Sequence, residues 1–109
     1  IEQKVFQWIR SDKTYVKCTG YILISRLAQM NKELENIIFK EMIDYSPNDF
    51  EHPNLHVRIS LARALRNIAL SDGDLKNTVL DKVEMIRSSG KSLSRIIYEE
   101  TAVLLNYKQ

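Results

Sequence analysis

Ile1, Val5, Trp8 and Ile9 fall on one face of a helix, and that spacing predicts a first helix over residues 1–10. The polar triplet at 11–13 breaks it. A second helix, over about 14–30, carries Val16, Gly20, Leu23, Leu27 and Met30 at helical spacing. Ile22 and Ile24 widen that stripe, so much of its circumference is expected to be buried. A third, over 32–44, turns Leu34, Ile37, Ile38 and Met42 inward. Both prolines then fall in the long loop YSPNDFEHPN, residues 45–54. The fourth helix, 55–70, has Val57, Leu61, Ala64, Leu65 and Ile68 on its apolar face. Asp74 is the expected N-cap of a fifth, which Leu75, Val79, Val83 and Ile86 carry to Gly90, a suitable C-cap. A sixth runs from Ser92 to about Tyr107.

The even-numbered helices resemble one another. Superposing YVKCTGYILISRLA (15–28), HVRISLARALRNIA (56–69) and LSRIIYEETAVLLN (93–106) brings Lys17, Arg58 and Arg95 into register, and Leu27, Ile68 and Leu105 with them. The offsets, 41 and 37 residues, are close to the ~40-residue period of two-helix solenoid repeats. Such a repeat cannot bury its apolar face alone, and three is near the minimum that stacks. The expected fold is therefore all-α, a right-handed α-solenoid of three HEAT-like hairpins (1–30, 32–70 and 74–107). It forms a single domain over 1–109, and the initial Ile1 leads us to expect a fragment of a longer protein.

Composition narrows the function classes. The net charge is only +2, so any electrostatic footprint has to be local. From Leu55 onward nine Lys/Arg face six Asp/Glu, against seven and eight before it. No membrane segment or signal sequence is seen, and the single cysteine, Cys18, reads as a small side chain of a reduced, cytoplasmic protein.

Familiar chemistry is missing. SSGKS (88–92) is no phosphate loop, because Met85 stands where its first glycine would be and a helix precedes it. His52 and His56 are separated by Pro53 in a loop, so neither they nor Asp49 and Glu51 read as a metal site. No cofactor is expected. Glu99 and Glu100 point about 100° apart on a helix and do not share a site. What stands out is HPNLHVRISLARALRNIAL (52–70), with Arg58, Arg63 and Arg66 and no acidic residue.

Val57–Arg58, Ala64–Leu65–Arg66 with Ile68, Trp8 with Ser11, Val16–Lys17 and Ser94–Arg95 recur in an order and spacing that resembles the bacterial DNA alkylation repair (AlkD-like) family of HEAT-like repeat proteins. The likeness spans nearly the whole chain but only the C-terminal half or so of a typical member. It implies duplex DNA cradled on the concave face, with Arg66 on a phosphate and Lys17, Arg58 and Arg95 at basic positions near the starts of the even helices. Arg63 stands where the family has a tryptophan, Cys18 where it has a second basic residue, and Ile96 where it has an aromatic. The family's catalytic aspartate would precede Ile1, so the resemblance to alkylpurine DNA glycosylases carries no catalytic residue onto this chain. Two readings stay open. In one, Lys17, Arg58, Arg63, Arg66 and Arg95 contact the backbone of double-stranded DNA without reading sequence. In the other, the concave face is a scaffold for a protein partner. Beside both stand the expectation that Arg58 and Arg95 pair with neighbouring acids as a structural ladder, and a third reading in which a longer protein with an upstream Trp and Asp is an active glycosylase.

Overall fold

The computed structural model describes residues 2–30 and 36–106. The chain is all-α, without a strand among the described residues: α1 (Glu2–Ile9), α2 (Thr14–Gln29), α3 (Asn36–Tyr45), α4 (Leu55–Ser71), α5 (Gly73–Ser89), α6 (Arg95–Thr101) and α7 (Val103–Asn106). The helix start expected at Lys32, with Leu34, lies outside the described residues, as do Ile1, Tyr107 and the side chain of Leu105.

Three local features depart from the sequence expectation. The loop after α3 contains a 3₁₀ turn, Ser46–Asp49, with Pro47 near its start. Proline's fixed φ suits the first turn of such a helix, where its missing N–H costs nothing. The N-cap of α5 is Asp72, not Asp74: the Asp72 carboxylate accepts from the Asp74 N–H at 2.9 Å. Asp74 lies within the first turn, where its charge complements the helix end. Finally, the expected sixth helix is two, interrupted at Ala102. The Thr101 hydroxyl donates to the Ile97 carbonyl at 2.7 Å and to that of Tyr98 at 3.2 Å. Such back-bonding competes with the helical ladder and bends it. Asn54 caps α4, accepting from the His56 N–H at 2.8 Å. Gly90 ends α5 at φ +66°, the left-handed region open to glycine.

The helices form two layers. α2 packs on α4 and α4 on α6, α3 touches both α1 and α5, and α1 packs on α2 while α5 packs on α4 and α6. The Cα extents are 34 × 32 × 17 Å. The short dimension matches two helix layers about 10 Å apart, each adding its backbone radius. Val5, Ile9, Ile24, Met42, Leu61 and Leu65 fill the space between them and are fully buried or nearly so. α4, at the centre, is buried on most sides, including Ala62, Ala64 and Ala69. These small residues let the neighbouring helices approach it. The apolar stripes are narrower than their spacing implied: Ile22, Met30 and Ile37 are exposed. Gly20 marks the closest approach of α1 and α2, since a Cβ there would lie 2.9 Å from Ile9 Cγ1 and 3.1 Å from the Ile9 nitrogen.

Candidate nucleic-acid interface

The five basic residues singled out in the sequence are held in three different ways. Lys17 is buried. Its ammonium donates to the Ile9 carbonyl, lies 2.7 Å from Asp49 Oδ2 and 3.5 Å from Tyr45 Oη, and stands over the Tyr45 ring at 5.2 Å. Asp49 comes from the 3₁₀ turn and also accepts from the Tyr21 hydroxyl. An ammonium has three N–H donors, and here protein acceptors surround them. Burial pushes the Tyr21 phenol far above its ordinary range, and the neighbouring Asp49 charge and hydrogen bond push it the same way. This cluster joins α1, α2 and the turn before α4.

Arg58 is also buried. Its Nε donates to the His52 carbonyl at 2.8 Å, and its Nη1 to the Leu93 carbonyl at 2.8 Å. It therefore ties the loop before α4 to the turn before α6. Its acceptors are carbonyls rather than the acid that a charge ladder would use. Arg66 reaches from α4 to α6, where it pairs with Glu100 Oε1. Both side chains are about a third exposed, at 29% and 33%. Arg95 is largely exposed and lies 4.0 Å from Glu99, one helical turn on. Lys17, Arg58 and Arg95 thus share a register in sequence but not a surface.

Arg63 differs from the other four. It is exposed and makes no hydrogen bond or ion pair among the described residues. It borders a cavity of about 560 Å³ between the first turns of α2 and α4, with Tyr15, Cys18, Ile22, His56 and Ile59 on its walls. The remaining wall residues are Thr14, Asn54 and Ser60, so among the described residues no carboxylate faces the groove. Such a surface suits an anion carried on an apolar or aromatic body: Arg63 supplies a fork of N–H donors, and the walls supply contact area. Tyr15, 88% exposed, belongs to this groove and was not foreseen. Its position at the start of α2 reads from sequence as one more apolar residue, and only the pairing of α2 with α4 shows what it faces.

The other candidate groups stay apart. His52 Nδ1 accepts from the Asn54 N–H at 3.0 Å, which makes it part of a turn, while His56 is exposed. Among the described residues no group of His, Cys, Asp or Glu is placed to hold a metal ion, and no helix is long and apolar enough to cross a membrane. No protein-family model, curated protein or solved structure matches this chain.

Proposed function

We propose that the chain is a right-handed α-solenoid of three HEAT-like hairpins that binds the backbone of duplex DNA on the face made by α2, α4 and α6. The side-by-side order of those helices, with α1, α3 and α5 behind them, supports the solenoid. The observation that carries the function is the groove at Arg63, a cation that among the described residues has no protein partner and no carboxylate on the walls around it. Arg66 and Arg95 lie on helices of the same layer with donors left over, since a guanidinium offers five N–H groups and each pairs with a single carboxylate. Lys17 and Arg58 act as internal ties that hold this face in shape. The resemblance to DNA alkylation repair proteins points the same way, and a reduced, cytoplasmic setting suits the thiol of Cys18. Contacts of this kind position a duplex without reading its sequence, and no catalytic group is assigned.

The test is binding of a short duplex across a salt series. We expect weak, micromolar-range binding that falls with salt. Arg63→Glu should abolish most of it, and Arg63→Ala should lower the salt slope by about one. Wild-type binding that is absent at low salt, or unchanged in Arg63→Glu, would sink the proposal. Arg58→Glu is a poor probe, because it strips two carbonyls of their donor and disturbs the fold.

A second reading has its own support. Tyr15 and Ile22 present exposed apolar surface beside Arg63, and a rigid aromatic next to an arginine is the composition of a protein-binding hot spot. Carboxylate-free walls would favour an acidic segment as the partner. Tight, salt-resistant binding of an acidic peptide, lost in Tyr15→Ala and accompanied by no affinity for duplex, would select this reading.

A further inference from the structure

We propose that the turn joining α5 to α6 is a phosphate-binding site built by Arg87, Lys91 and Arg95. These side chains line a cavity of about 310 Å³ together with Gly90, Ser92 and Tyr98, over Ile86 as an apolar floor. Among the described residues no carboxylate lines it. Three cations around one cavity repel one another unless an anion joins them.

The neighbouring acids do not neutralise the cluster from within. Glu84 lies 3.5 Å from Arg87 and Glu99 4.0 Å from Arg95, each on the arginine's own helix, with side chains 60–79% exposed. Exposed pairs of this kind are weak and easily exchanged, and each leaves its guanidinium with further N–H groups to offer. The Lys91 ammonium has no partner among the described residues. Helix electrostatics accounts for one cation only: Arg87, in the last turn of α5, complements that helix's carbonyl end. Lys91 follows the glycine, and Arg95 opens α6, whose first turn holds no acidic residue. Gly90, at φ +66°, turns the chain so that residues on both sides of it reach the same cavity. The Ser92 hydroxyl adds a neutral donor, and the Tyr98 ring gives a wall on which the organic part of a phosphate ester can rest.

This is not a nucleotide-binding P-loop, since side-chain cations, not a run of backbone N–H groups, supply the donors. The site shares no residue with the Arg63 groove and does not depend on the function proposed for it. The phosphate can come from a duplex backbone or from free phosphate and its monoesters, and the experiment separates the two.

The test follows the backbone amides of Gly90, Lys91 and Ser92 by NMR in the 109-residue chain. Inorganic phosphate is titrated at constant ionic strength balanced with chloride, and a short duplex in a parallel series. Saturable, millimolar-range shifts with phosphate would establish the site and a free-phosphate source. Shifts with duplex alone would establish it as a backbone contact. Lys91→Glu/Arg95→Glu should weaken the response by roughly tenfold or more, the loss expected for two charge-assisted contacts. Both residues are exposed, and circular dichroism checks that the variant folds. The phosphate response should survive Arg63→Glu even where that change removes duplex binding. No shift with either ligand, equal shifts with chloride, or loss of the phosphate response in Arg63→Glu would overturn the proposal.

Discussion

Lys17 and Arg95 both lie near the start of an even-numbered helix, α2 and α6, and meet opposite surroundings. Lys17 is 5% exposed, against Asp49; the Arg95 side chain is 79% exposed and 4.0 Å from its nearest carboxylate. Arg58, between them in the chain, is buried like Lys17 but held by carbonyls. The acceptors explain the difference. Asp49 belongs to the connection that precedes α4, and Leu93 to the one that precedes α6. Each buried cation is thus tied by the connection leading into the next even helix. Among the described residues no later connection reaches Arg95. The same position near the start of three helices holds a cation each time, while the segments packed around it decide whether that charge is internal structure or free surface.

The largest test of this contrast is Asp49→Ala. It leaves a buried ammonium without its carboxylate and should cost about 3–5 kcal/mol in urea unfolding, the usual effect of breaking a buried pair. Replacing both partners with apolar residues, Lys17→Met/Asp49→Leu, should cost less than Asp49→Ala alone, because no charge is then stranded. Arg95→Ala should stay within about 0.5 kcal/mol of wild type. Equal losses at Asp49 and Arg95 would erase the distinction. Arg58→Leu comes next: the His52 and Leu93 carbonyls lose their donor, for about 1–3 kcal/mol. Arg58→Lys should recover only part of that, because one ammonium does not reproduce the guanidinium fork.

A pH series sharpens the same comparison. The folded Tyr21 phenol titrates above its unfolded value of about 10. Its contribution is therefore complete below pH about 10 and declines as pH rises toward the folded value, by about 1.4 kcal/mol per pH unit. Tyr21→Phe should remove that part of the alkaline loss while losing one donor to Asp49 at neutral pH. A slope unchanged in Tyr21→Phe would mean that the phenol does not titrate from this buried site.

Helix content was legible because it is local: apolar spacing places α1, α2, α4 and α5 within a residue or three of where they lie. The ends were less legible. Asp72 and Asp74 are equally good cap residues on paper, and the break at Ala102 depends on how the Thr101 hydroxyl turns. The jobs of the arginines were not legible, because they depend on partners far along the chain. Arg58 meets Leu93 and Lys17 meets Asp49 only once the helices pack together. Nor does HPNLHVRISLARALRNIAL show that Arg58 lies inside while Arg63, five residues on, lies outside. The 100° step of the helix separates them, but which face is covered is settled by α2 and α6.

Arg66 and Glu100 form the intermediate case, and the smallest expected effect falls there. The pair links α4 to α6 across a surface where each side chain is about a third exposed, so solvent screens it and neither charge is stranded when the other is removed. A double-mutant cycle with Arg66→Ala and Glu100→Ala should give a coupling below about 1 kcal/mol that shrinks with added salt. A coupling of that size leaves Arg66 able to exchange Glu100 for a phosphate at little cost, and Glu100→Gln should then strengthen duplex binding by removing a competitor and a like charge. A coupling above about 2 kcal/mol that resists salt would put Arg66 with Lys17 and Arg58 among the internal ties. The DNA face would then rest on Arg63 and Arg95, and its salt slope should be correspondingly shallow.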